Sequence, residues 1–243
     1  MNTHNETQTE TTVKERQYIP LPGLGRYISK ELNKDVVELD VHATNYLSGT
    51  LTAEDTRGIK AAFERYIFSG AEGAEGADVD IPDMHVIERA LASDVLKADE
   101  SFHVTLLFPS EKNVAQFRRA AEVVGGEVPP DYADLSKKKR AQVHGEVMRA
   151  LRAREPRVQM TFGDNAFVTK DGVLAAVEMR FVPPSSSPSS SASASASASP
   201  ARSAPSIYET IDPDKVFHVT LIHDRDVEER APSFSNQFLE QNK

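Results

Sequence analysis

The sequence predicts an α+β protein, helices and strands mixed within one folded unit, and three observations predict it. The pentapeptide Phe-His-Val-Thr-Leu occurs twice, at Phe102 to Leu106 and at Phe217 to Leu221, each time in a β-like apolar run. Capped stretches with apolar residues at helical spacing lie between the two copies, at 110–125 and 136–154. Further strand-like runs at 157–162 and 166–169 precede, and one at 173–182 follows, Asp171-Gly172, a dipeptide suited to a tight hairpin turn, so the motif strands have sheet partners nearby in sequence.

The elements follow in chain order. Residues 1–17 are rich in Thr, Asn, Gln and Glu and too poor in apolar side chains to offset the entropy of ordering, so they are expected to form a disordered tail. Asp35 to Val41 reads as a strand. Thr52 with Asp55 forms a variant capping box that opens a helix running to about Phe68. The Ala-Glu-Gly repeats of 71–77 suit a loop, and Pro82 suits the first turn of a second helix reaching Leu96 with Ile87 and Leu91 on its apolar side. After the first motif strand, Ser110 can cap a helix carrying Val114, Phe117, Ala121 and Val124 on one stripe and stopping at Gly125-Gly126. Ser136 to about Arg154 forms the next helix, with Val143, Val147, Ala150 and Leu151 facing a core and Pro156 just past its end. Strands are expected at Arg157–Phe162, Ala166–Thr169 and Val173–Val182. Residues 183–205, almost entirely Ser, Ala and Pro, read as a disordered insertion within a single domain spanning 18–243.

Composition narrows the function. The 243 residues include 39% hydrophobic ones, enough for a core, and no cysteine, which removes disulfides, thiolate catalysis and Cys-ligated zinc. A formal net charge of −9 argues against a general nucleic-acid-coating surface but leaves room for a local anion site. Basic residues cluster from Lys137 to Arg157, as a solvated helix face or as phosphate contacts. The start of the chain has no apolar leader region, and no apolar stretch reaches membrane-spanning length; a cytoplasmic or nuclear protein with no membrane partner is expected.

Chemistry concentrates in the repeat. Side chains alternate along a strand, so His103 and Thr105 share one face while Phe102, Val104 and Leu106 take the other, and the same holds for His218 and Thr220. Two imidazoles able to exchange protons near neutral pH, with hydroxyls roughly 6–7 Å along the same strand face, suit a phosphate ester: one histidine deprotonates the nucleophile, the other protonates the leaving oxygen, and the threonines hold the non-bridging oxygens. Nothing in that arrangement calls for a metal or cofactor. A lone histidine in an apolar strand is usually a satisfied core residue; two identical pentapeptides are hard to ascribe to packing, which would accept Leu or Ile at the histidine position. His42, His85 and His144 lack the repeat and are expected to be structural or solvent-facing, and His223 lies on the face opposite His218. Pro22-Gly-Leu-Gly25 is too sparse for a phosphate loop. Tyr18 and Tyr27 are candidates for base stacking against a favoured packing role, and Phe162 and Phe167 are core candidates.

These two motifs, His103-Val-Thr105-Leu and His218-Val-Thr220-Leu, resemble the paired H-x-[ST]-x signatures of the 2H phosphoesterase superfamily. Within it, the Phe-His-Val-Thr-Leu strand and Ser235-Asn236 ahead of Phe238-Leu239 are most similar to the cyclic phosphodiesterase domain of fungal and plant tRNA ligases. The resemblance implies a pseudo-twofold, two-lobed fold of antiparallel sheets flanked by helices, with a central groove. It implies metal-independent hydrolysis of 2′,3′-cyclic phosphate RNA ends, such as tRNA halves, to a 2′-phosphate, in RNA repair or tRNA splicing. His103 and His218 would be the catalytic acid and base in an order left open, and Thr105 and Thr220 the phosphate-binding residues. The ligase and kinase domains of full tRNA ligases are missing from the sequence, and the closing strand of the second lobe is expected from the N-terminal segment. Two other functions stay open: a 2′-5′ phosphodiesterase or ligase, and a catalytically silent RNA-end binding module.

Overall fold

A computed structural model describes residues 18–68, 101–109, 114–169, 174–182 and 205–223. The expected tail at 1–17, the loop and helix within 71–96, Ser110, the Asp171-Gly172 turn, residues 183–204 of the insertion and the Ser235-Asn236 segment lie outside the described residues.

The described elements run β1 (Tyr18–Pro20), α1 (Leu24–Leu32), β2 (Val37–Ala43), β3 (Leu47–Thr50), α2 (Ala53–Phe68), β4 (His103–Leu107), α3 (Val114–Val123), a 3₁₀ turn (Tyr132–Asp134), α4 (Lys137–Arg154), β5 (Arg157–Thr169), β6 (Leu174–Phe181), α5 (Ile207–Ile211) and β7 (Phe217–His223). All pairings among the described strands are antiparallel. The order β5-β2-β3-β4-β7-β6, with β6 returning to β5, closes a six-stranded barrel. The fold is therefore α+β, as expected. β1 does join the sheet, against Phe167 to Thr169 of β5, but the ring is closed by β5, whose first residues pair with β2 while its length pairs with β6. The two strands expected at 157–162 and 166–169 are one strand whose register shifts between Phe162 and Ala166.

Local chemistry explains the helix ends. The Thr52 hydroxyl accepts from the Asp55 backbone N–H at 3.0 Å and donates to Asp55 Oδ2 at 2.9 Å, which satisfies a first-turn donor and fixes the start of α2. α3 stops as the sequence requires: Gly125 adopts φ 70°, and the N–H groups of Gly125 and Gly126 return to the carbonyls of Glu122 and Ala121. Ser136 accepts from Lys139 N at the start of α4. Gly25, on α1, is a packing residue: a Cβ there would lie 2.0 Å from the carbonyl oxygen of Gly163, so α1 rides directly on the β5 backbone.

One apolar cluster joins alternate strand residues, among them Val37, Leu39, Val104, Leu106, Val158, Val177, Val219 and Leu221, to Ile28, Phe63, Phe117, Leu151 and Tyr208 of all five helices. A six-stranded barrel has no room for a helix inside. The helix-covered face is thus the outer one; the alternate positions take the other face, polar at the motif residues and apolar where Phe167, Leu174, Ala176 and Val216 cluster with Tyr18. The favoured packing roles of Tyr18, Tyr27 and Phe167 hold: Tyr18 meets Phe167 edge-on, Tyr27 meets Tyr66, and Phe167 is fully buried.

Candidate active site

β4 and β7 are neighbours, and their register pairs Val104 with Val219. Each valine is the middle residue of its pentapeptide. Continued by one residue either way, an antiparallel register sets His103 opposite Thr220 and Thr105 opposite His218. The four predicted residues form one patch: each threonine faces the other motif's histidine at about 5 Å between Cβ atoms, and the histidines are diagonal neighbours at roughly 7–8 Å. The apolar members of each pentapeptide, Phe102, Val104 and Leu106 with Phe217, Val219 and Leu221, are all in the core, so burial of the outer face fixes which face the histidines take.

Anchors hold both strands. Phe102 N donates to Thr56 Oγ1 of α2 at 3.1 Å, and Leu51 N donates to the Phe102 carbonyl at 2.9 Å, tying the start of β4 to the start of α2. Lys215, two residues before β7, donates to the Leu106 carbonyl of β4 at 3.2 Å and lies 5.2 Å over the Phe217 ring.

The two histidines occupy unlike surroundings. His103 is exposed, with the Tyr46 hydroxyl 3.4 Å from its Nε2 and the exposed Phe108 ring beyond Tyr46. His218 is largely enclosed, and its pKa is pushed down to about 4, first by burial and then by the Lys215 charge, with His103 adding to the effect and a hydrogen bond with the Val216 backbone opposing it. Burial likewise lowers Lys215 to about 8, against the pull of Asp212. At neutral pH, His218 is a neutral imidazole beside an ammonium group.

Flanking strands extend the patch. On β3, Thr50 pairs with His103 and Ser48 with Thr105; on β6, Glu178 pairs with His218 and Ala176 with Thr220. Glu178 is buried and accepts from Arg180 Nε at 2.7 Å and Nη2 at 3.0 Å. Tyr46, Lys215, Glu178 and Arg180 were not singled out from the sequence. Two charges in the otherwise buried β6 run are a signal that could have found the last pair.

The remaining histidines fall elsewhere. His42 is exposed on β2, paired with Ser48. His144 hydrogen-bonds Tyr132 and meets Phe117 edge-on between helices, with its pKa lowered by burial and by Arg140. His223 ends β7, and His85 lies outside the described residues. Of the basic cluster, Arg140 and Arg154 donate to the carbonyls of Ala133 and Val123, and Arg157 bridges Glu38 and Asp40, whereas Lys137, Lys138 and Lys139 are exposed. No group of three or more His, Asp or Glu side chains among the described residues is arranged to hold a metal ion, and none of their helices is long and apolar enough to cross a membrane. No protein-family model, curated protein or solved structure matches the chain.

Proposed function

We propose that the chain is a 2H phosphoesterase that hydrolyses 2′,3′-cyclic phosphate RNA ends without a metal ion. The observation that carries this reading is the centre-to-centre pairing of the two pentapeptides, which relates two His-x-Thr units by a local twofold axis. The chain order supports the two-lobed arrangement in the same sense. Among the described elements, β2-β3-α2-β4 and β5-β6-α5-β7 each run from a pair of adjacent antiparallel strands through a helix to a motif strand, and each would be one lobe.

The unlike surroundings of the histidines support a division of roles between them. His218, neutral at pH 7, accepts a proton from water as that water attacks phosphorus. His103, exposed beside the Tyr46 hydroxyl, delivers a proton to the departing oxygen. For a 2′-phosphate product the bond formed is from the water oxygen to phosphorus, and the bond broken is from phosphorus to O3′, which leaves as a hydroxyl. Thr105 and Thr220 donate to the non-bridging oxygens, where negative charge builds in the transition state. RNA ends such as tRNA halves, RNA repair or splicing, a cytoplasmic or nuclear setting and cooperation with ligase and kinase domains belong to this same proposal.

The test is an RNA oligonucleotide ending in 2′,3′-cyclic phosphate, incubated with the protein in EDTA, with products resolved by chromatography and phosphorus NMR. The expected product is a ring-opened 2′-phosphate, and His103→Ala or His218→Ala should each lower the rate by about 10²–10⁴-fold or more. Full activity in either variant overturns the paired mechanism. Cleavage of a 2′-5′ linkage in place of the cyclic end would point to the 2′-5′ enzyme, and tight binding without turnover to a silent RNA-end module.

A further inference from the structure

Glu178 is a buried carboxylate placed by register directly opposite His218, where cross-strand Cβ atoms are about 5 Å apart. Left to itself, it would favour the protonated imidazole and raise the pH above which His218 is free to accept a proton. Two features turn it aside. Arg180, two residues on and on the same strand face, takes both carboxylate oxygens in a fork, Nε to Oε1 at 2.7 Å and Nη2 to Oε2 at 3.0 Å. On the neighbouring strand β5, Gly163 leaves the space in which the carboxyl rests: a Cβ at that position would lie 2.7 Å from the Glu178 carboxyl carbon and from Oε2. This falls where the β5–β6 register shifts, between Phe162 and Ala166.

We infer that Arg180 and Gly163 are positioning residues that hold the Glu178 carboxylate away from His218 and so keep that imidazole unprotonated for catalysis. Among the described residues, Lys215 from the segment ahead of β7 and His103 from β4 both disfavour protonation of His218, while Asp212 faces Lys215. Arg180 in turn lies within the field of Asp164 on β5. The consequence for turnover rests on the hydrolase reading above; the protonation state of His218 does not.

The experiment is a proton NMR titration of the His218 ring in the full chain, paired with a pH–rate profile on the cyclic-phosphate oligonucleotide. In Arg180→Met the released carboxylate should raise the His218 pKa by about 1–3 pH units, and the acid limb of the rate profile should move up with it. Gly163→Ala, which denies the carboxyl its space while keeping both charges, should move it the same way by less. Arg180→Met combined with Glu178→Gln removes the carboxylate charge and should return His218 to its original titration. If Arg180→Met fails to fold because it strands a buried charge, Gly163→Ala and the double variant still decide. An unmoved His218 pKa in the single variants, or a shift that persists in the double variant, overturns the inference. The ring titration stands even if no protein hydrolyses the probe, in which case the hydrolase reading alone falls.

Discussion

Acid should destabilise this protein in part through His218, and the size of the effect follows from its environment. An imidazole whose folded pKa lies near 4, against the ordinary 6.5, is held neutral by the fold. The unfolded chain takes up a proton at higher pH than the folded one, so the stability this group contributes is complete above about pH 6.5 and is lost as pH falls toward 4. The displacement corresponds to about 3 kcal/mol in full, of which about 2 kcal/mol should disappear between pH 7 and pH 4.5. Urea unfolding at both pH values, in the wild type and in His218→Gln, isolates that share, because every other titrating group contributes to both proteins. Lys215 supplies a second window of opposite placement. Its folded pKa of about 8 lies below the ordinary 10.5, so burying the ammonium costs stability at neutral pH, and that cost is relieved as pH climbs from about 8 to 10.5. Stability should rise by about 2 kcal/mol between pH 7 and 9.5 in the wild type and remain flatter in Lys215→Met. Equal loss between pH 7 and 4.5 in the wild type and in His218→Gln would refute the claim that this ring is held neutral by burial and Lys215.

Two further outcomes can be checked directly. Gly25→Ala puts a methyl group 2.0 Å from a backbone oxygen of β5, a clash no side-chain rotation relieves; it should cost about 3 kcal/mol, or about 6–12 °C in melting temperature, whereas Gly145→Ala in α4, with nothing within 4 Å of the added carbon, should be neutral or stabilising. Thr105→Val and Thr220→Val keep shape and strand propensity but remove one hydroxyl each. Each should lower kcat/KM on the cyclic-phosphate oligonucleotide by about 10–100-fold with unchanged unfolding curves, and a change below about twofold would remove the threonines from phosphate binding.

What the sequence made legible is what local chemistry controls. The Thr52–Asp55 cap, the Gly125-Gly126 stop and the Ser136 cap each announce a helix end because the residues that satisfy the orphan backbone groups are near neighbours in the chain. Both motif strands show in their alternation. β1, with three residues, β3, with four, and α5, with five, are too short to carry a period; strand pairing places β1 and β3, and the Ser206 cap with the Glu155 carboxylate places α5. β3 is nearly polar throughout, and its Gly49 is fitted to Leu39: a Cβ would meet that side chain at 3.1 Å. α1 does carry Leu24, Ile28 and Leu32 at helical spacing, but its entry through Pro22-Gly23, with Gly23 at φ 76° and no side-chain cap, reads as a turn. Register is the part no local signal reports. His103, Thr105, His218 and Thr220 were recognisable as a set because they repeat; Glu178 and Tyr46 join them only through pairings between distant segments.

On the proposed hydrolase mechanism, the repeated pentapeptides give the site its symmetry, and the strands beside them make its two halves differ. A local axis through Val104 and Val219 makes the two His-x-Thr units geometrically equivalent, yet proton transfer in one direction needs one imidazole to accept while the other donates. Identical pentapeptides cannot supply that difference, so it must come from the strands beside them. The same axis relates Thr50, paired with His103, to Glu178, paired with His218, and Ser48 to Ala176. On one side the neighbours are hydroxyls and the ring is open to solvent beside Tyr46. On the other they are a buried carboxylate bound by Arg180 and a small alanine, with Lys215 close by. On the proposed mechanism, exchanging the two histidines' roles would therefore require changing β3 and β6, while the motifs themselves could stay as they are.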